Sequence, residues 1–396
     1  MKKSLLPTSI LITLLLLLPV VTQAESSLRD NETSIPNEVK EEMERLSDES
    51  DFSDWQAFFD DITASYGVGS EYDSVKSMVE SIASGGTDIS VSTAMDIALE
   101  LLLPNLFSTL RQLTVILVLS VLVGLCSVIV PEGQAKETLM LFISCTAVLT
   151  VVGIFSDLVA EAADFIESSA GFCSAATPVL LGLLSTLGLS GTSKFLSPTL
   201  IFLADGIIAA IRSVVIPILL LSGVLSVLSV ICEKLNFGKL FKQIQKSVKW
   251  GMGLLSAIYI AVTSVGGLCA STADSIGLRT AKYTLDKLIP AVGGMVSGTV
   301  DSVLAGGYLL KNAAGVTSLI LLAGFAARPI LKIAGGIIAV RLAAGISGMT
   351  GDDKIPKLLE NSADALTGVF SACCAVLSML LITLIIIINT GGAMFR

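Results

Sequence analysis

Long apolar runs alternate with short polar breaks from Leu113 to Ile388, while the chain between the N-terminal leader and these runs is polar. The runs lack the strict alternation of strands and have the length of bilayer-crossing helices, about 20 residues each. Leu113–Val130 and Thr138–Phe155 read as the first two spans, joined by the short loop Pro131–Glu137. The next break carries Asp157, Glu161, Asp164 and Glu167 with no Lys or Arg, which places it outside the cytoplasm. Gly171–Leu189 is a short, proline-containing segment, and Thr199–Ile231 is a long run interrupted by Arg212. Five lysines follow, Lys234, Lys239, Lys242, Lys246 and Lys249, on a stretch whose Leu240, Phe241, Ile244 and Val248 share a face. That is a basic amphipathic helix suited to the cytoplasmic interface. Trp250 opens a span ending near Ala270, and Leu288–Leu310, Val316–Ile346 and Leu366–Ile388 complete the set.

One stretch occurs twice. Pro178-Val-Leu-Leu-Gly182 and Pro290-Ala-Val-Gly-Gly294 each have a serine three residues on, and Pro217-Ile-Leu and Pro329-Ile-Leu follow at equal distances. Gly223 then answers to Gly335, Lys239 and Lys242 to Lys354 and Lys357, and Ser256-Ala257 to Ser371-Ala372. A parallel internal repeat is one way to build a multi-pass core, and chance in a small apolar alphabet is the competing account. The expected fold is an all-α polytopic membrane protein of about six to eight transmembrane helices with this repeat. A small helical extracytoplasmic N-terminal region precedes it. The boundaries expected are a signal peptide at 1–24, an acidic region at 25–108 and a transmembrane hairpin at 109–170. Repeat units at 171–270 and 284–388 and a tail at 389–396 follow.

The head is polar in a particular way. Lys2 and Lys3, the apolar Ile10–Leu18 and a small-x-small site at Thr22–Ala24 give residues 1–24 the form of a secretory signal, cleaved or kept as an anchor. Residues 25–100 hold 19 acidic and 4 basic residues, so a formal net charge of −9 conceals a basic membrane body. Residues 25–50 read as flexible. Phe52, Trp55, Phe58, Phe59 and Ile62 follow helical spacing, and Thr87–Leu103 reads as a second amphipathic helix. Their aromatic face is either a docking surface or the helix's own packing face.

The chain has 53% hydrophobic and 15% charged residues and a mean hydropathy of +0.83. It has no histidine, which removes the commonest general base and metal ligand. Its seven cysteines lie in or beside apolar segments as small apolar residues. Gly188-x-x-Gly191-Thr-Ser-Lys194 is not a phosphate-binding loop. No catalytic, cofactor-binding or metal site is expected, and no nucleic-acid partner.

Charges inside apolar runs usually face a bundle interior or a wet path. Asp205 and Arg212 share a helix face; with Asp301, Arg328, Lys332 and Arg341 they form either a pathway or pairs that fix packing. Gly335, Ala339, Ala343 and Ser347 recur every fourth residue, as Gly294 and Gly298 do, marking helix–helix faces. Pro178 and Pro290 are expected to break their segments into half-helices at a shared centre, where Gly182 and Gly294 let backbones approach. The alternative is a tolerated kink.

The order of signal, acidic head and multi-pass body, with Ala-Thr-Pro178-Val-Leu-Leu-Gly182 and Leu-Ile-Pro290-Ala-Val-Gly-Gly294-Met-Val-Ser297-Gly298-Thr299, resembles stage III sporulation protein AE of endospore-forming bacteria. The resemblance covers nearly the whole chain and is densest from Phe172 to Thr299. It implies a non-enzymatic core component of a channel or secretion-like complex between mother cell and engulfed forespore, in the multi-pass mother-cell membrane. The implied partners are the other stage III A sporulation membrane proteins, a partner ATPase and, indirectly, stage II sporulation protein Q. The family brings no catalytic motif. A stand-alone secondary transporter is the alternative, and a membrane-bound enzyme a weaker third.

Overall fold

The computed structural model describes residues 37–66, 73–84, 134–231, 237–288, 293–348 and 354–390, with positions 111, 114, 118 and 121. The signal, Thr87–Leu103, the span Leu113–Val130 as a whole, Pro290 and the last tail residues lie outside the described residues, and the side chains of 293–303 are not described. Every described element is helical. Three short helices form the head: α1 (Asn37–Glu49), α2 (Ser53–Tyr66) and α3 (Val75–Ala83). The body holds α4 (Gln134–Thr186), α5 (Ser190–Ala210), a π-turn at Ile211–Val215, α6 (Ile216–Ile231), α7 (Phe237–Leu288), α8 (Gly293–Ser347) and α9 (Lys354–Asn389). Five helices among the described residues are long and apolar enough to cross a membrane.

The head differs from its sequence reading at α1. The acidic stretch is helical because Val39, Met43 and Leu46 form an apolar stripe that is buried on α8 beside Gly306. The helix α3 has a capping box, with the Ser74 hydroxyl accepting from the Ser77 backbone N–H and the Ser77 hydroxyl from that of Ser74. Asp51 accepts the Ser53 N–H at 3.0 Å at the start of α2, which holds its carboxyl below the usual carboxylate range.

A larger correction concerns α4. Thr138–Phe155, the acidic break and Gly171–Leu189 are one helix of 53 residues, about 80 Å at 1.5 Å per residue. Nothing between them stops a helix. Asp157, Glu161, Asp164 and Glu167 follow one another at helical spacing along a polar stripe, while Leu158, Val159, Ala162, Phe165 and Ile166 are buried on the other side. Pro178 does not divide α4 into half-helices either; the helix runs through it to Thr186. The reversal comes at Gly188, whose φ of 76° only glycine adopts without strain. There the N–H of Leu189 reaches the Leu184 carbonyl and that of Gly188 the Ser185 carbonyl, satisfying the end of α4. In their described residues the two candidate repeat copies are not built alike. The turn at Gly188 has no counterpart in α8, which is continuous from Gly293 through Pro329 to Ser347.

Close glycine contacts set the register of the body. Gly223 of α6 faces the Phe155 ring of α4, Gly336 of α8 faces Leu158, and Gly368 of α9 faces Leu219 of α6 and Gln245 of α7. Gln245 also donates to Ser222 of α6 at 3.3 Å. These contacts put Phe155, Ser222 and Gln245 at one height, so Glu161 and Lys246 lie within about 10 Å along the bundle axis. A hydrocarbon core of about 30 Å does not fit between them. Glu161 and the lysine-rich start of α7 thus stand at similar height in the bundle, where the sequence reading set them a bilayer apart.

The Gly335 face is buried, with Ala339, Ala343 and Ser347 inaccessible, and among the described helices α8 packs most extensively with α9. A Cβ at Gly223 would lie 2.5 Å from two Phe155 ring carbons, whereas at Gly345 it would meet nothing within 4 Å. Gly223→Ala is expected to cost about 1–3 kcal/mol through overpacking. Gly345→Ala should be neutral or stabilising by up to about 1 kcal/mol through helix propensity. Thermal unfolding of the two variants in detergent checks the contrast.

Candidate functional site at the head–body junction

The head meets the body at an aromatic cluster. Phe58 of α2 lies edge-on to Phe172 of α4 and Phe325 of α8, with centroids 5.4 and 5.8 Å away. Phe172 stacks on Phe325 at 5.9 Å, and Phe165 joins at 5.4 Å. One turn along, the indole N–H of buried Trp55 donates to the Ala175 carbonyl at 3.1 Å. Pro178 has no N–H to offer the Ser174 carbonyl, and the Trp55 bond falls on the next carbonyl of the same turn.

Beside the aromatics is an open cleft of about 200 Å³, lined by Asp61, Glu161, Asp164 and Ser168 on one side and Gly324, Phe325, Arg328 and Pro329 on the other. Ligand pockets run to about 300–1,000 Å³, so this is a small, charged seam. At different heights along the bundle, candidate intramembrane charges find partners on other helices. Lys332 pairs with Glu161, Arg212 with Glu167 at 2.6 Å, and Arg341 with Asp364 at 3.4 Å. Arg212 sits on the π-turn just before Pro217 and pairs with Glu167, so its same-face neighbour Asp205 is not its partner. Asp205 keeps a buried Oδ1 without a hydrogen-bond donor. Gly182 has open space around it, so it is not a point of close backbone approach. Gly294, Gly298 and Asp301 fall among the undescribed side chains, and Pro290 outside the described residues. The candidates therefore gather at separate helix contacts, with Arg328 and Pro329 alone reaching the cleft.

Sequence reasoning passed over Lys311. It is fully buried, and its Nζ donates to the Ile388 and Thr390 carbonyls at 2.6 and 2.7 Å while lying 5.1 Å from the Tyr308 ring centroid. It caps the end of α9, where the helix dipole favours a cation. Its signal was a lone lysine inside an apolar run. Tyr259 of α7 and Thr383 of α9, hydrogen-bonded and buried, carried no comparable signal. Among the described residues no group of Cys, Asp or Glu could hold a metal ion.

A family model described as stage III sporulation protein AE matches residues 73–391. The curated stage III sporulation protein AE of Bacillus subtilis (strain 168) is 28% identical over 245 residues, 62% of this chain and 61% of that protein. The aligned part thus spans less than two thirds of that relative. No solved structure matches.

The matched region begins after α2, so Trp55 and Phe58 lie ahead of it. Trp55→Phe keeps the ring but removes the donor to Ala175, an expected loss of about 1–2 kcal/mol. Hydrogen exchange should show the amides of α1–α3 opening about tenfold more often, with the body unchanged. For the belt, Lys332→Glu is expected to destabilise the bundle, and the swap Lys332→Glu with Glu161→Lys to recover most of the loss. Melting of the single and double variants measures that coupling.

Proposed function

We propose a function from one premise: the chain belongs to the stage III sporulation protein AE family, a family of sporulation proteins. The chain is a non-enzymatic, multi-pass core component of a channel or secretion-like complex in the mother-cell membrane around the forespore. It works with the other stage III A sporulation membrane proteins and, through them, with stage II sporulation protein Q. A partner ATPase supplies the energy that this chain has no motif to extract. The observation that carries the reading is the use made of charge. Arg212, Lys332 and Arg341 are each committed to an acid on another helix, and the described cleft is smaller than a typical ligand pocket. That supports a packed scaffold over a carrier with a central substrate site. The orphaned Oδ1 of Asp205 is the one observation favouring a stand-alone secondary transporter.

Affinity purification from sporulating cells should retain other stage III A proteins, and loss of the chain should stop spore development after engulfment. The purified chain alone in liposomes should show no solute uptake driven by an ion gradient. Robust uptake there, with no sporulation protein retained, overturns the assembly reading in favour of the transporter.

A further inference from the structure

The first turns of α7 have two faces. Phe241, Gln245, Val248 and Met252 are buried against the bundle, while Lys239, Lys242, Lys246 and Lys249 all point outward. The lysines advance by three, four and three residues, which keeps them on one helical stripe. Further along the helix come Trp250, 73% exposed, and then Leu254, Ile258, Val262 and Val265, exposed apolar side chains that turn gradually around α7 away from the lysines. No described acidic residue forms an ion pair with any of the four lysines. The head packs on α4 and α8 and leaves this face of α7 uncovered.

A row of cations, then an indole, then a hydrocarbon stripe matches the layers of one bilayer leaflet: phosphate, interface, acyl chain. The geometry points to α7 as an anionic-phospholipid recognition element. Lys239, Lys242, Lys246 and Lys249 gather acidic headgroups, Trp250 marks the interface, and Leu254–Val265 faces the acyl chains. The element rests on the membrane reading above and adds to it a lipid class and a depth. Four cations along three turns can engage several phosphates together, and each lysine near an anionic surface is expected to raise affinity about fivefold. A neutral lipid offers the indole and the apolar stripe the same surroundings but gives the lysines no counter-charge.

The chain has two tryptophans, and Trp55 is 2% exposed under the head, so lipid-borne quenchers report on Trp250. The purified full chain would be placed in bilayers containing equal fractions of phosphatidylglycerol and phosphatidylcholine, with bromine on the acyl chains of one or the other. Brominated phosphatidylglycerol should quench at least about threefold more effectively than brominated phosphatidylcholine. Replacing the four lysines by glutamine should abolish the preference, and replacing them by arginine should keep it. Trp250→Phe should remove most of the quenching. Equal quenching by the two lipids, or a preference that survives the glutamine variant, overturns lipid recognition by the stripe. An acidic protein partner as the true occupant would give this outcome. Absence of quenching by either lipid overturns the placement of Trp250 in a membrane. Because the chain is alone in these bilayers, failure here is distinct from failure to assemble in sporulating cells.

Discussion

A charge in an apolar bundle needs a counter-charge, a carbonyl or water, and much of this fold follows from how that need is met. Glu161 and Glu167 of α4 reach Lys332 of α8 and Arg212 of the π-turn, and Asp364 of α9 reaches Arg341 of α8. Each pair joins two different elements and constrains both their height and their rotation. The exposed pair Arg212–Glu167 contributes little energy, because water screens both partners. Its value is geometric: a slip of one turn would part the two charges. Lys311 meets the same need with carbonyls, tying the middle of α8 to the end of α9.

Between the charges, register comes from glycine. Gly223, Gly336 and Gly368 each admit a large side chain from a neighbouring helix where a methyl group would not fit. Aromatic and leucine side chains then act as pegs, and the helices interlock at defined heights. The head docks beside Pro178, where Trp55 donates to the Ala175 carbonyl in the turn that contains the proline's unserved Ser174 carbonyl.

The class of fold was legible because apolar length is a direct physical requirement of a bilayer. The internal organisation was less so. Asp157, Glu161, Asp164 and Glu167 read as a break because charge interrupts hydrophobicity, yet their spacing is that of a helix face, with apolar residues filling the positions between. The Gly335 face was legible, since every-fourth-residue small side chains have few other uses. Gly182 followed the same proline and yet stands in open space, because spacing within one helix says nothing about what lies across from it. Pairings such as Lys332–Glu161 depend on which helices become neighbours, and the acidic head's contact with α8 depends on Gly306 and Gly324, whose role is only to be small.

The head and the exposed face of α7 stand on different helices at similar height, and this constrains the surroundings of the bundle. Tyr259 of α7 meets Thr383 of α9; Ile388, a little over one turn further, meets Gly315 of α8; and Gly324, back down α8, meets Ile62 of the head. At 1.5 Å per residue the net axial step from Tyr259 to Ile62 is about one helical turn. On one flank at that height stand Ile258 and Val262, apolar and exposed; on the other stands α2, with Asp54, Asp60 and Asp61 exposed. Exposed carboxylates do not face hydrocarbon. If α7 faces acyl chains, the head flank faces water or another protein at the same depth, and lipid does not close around the bundle. A core component at the edge of a hydrated space has this asymmetric cross-section, whereas a solitary carrier would need lipid-compatible side chains around its whole circumference.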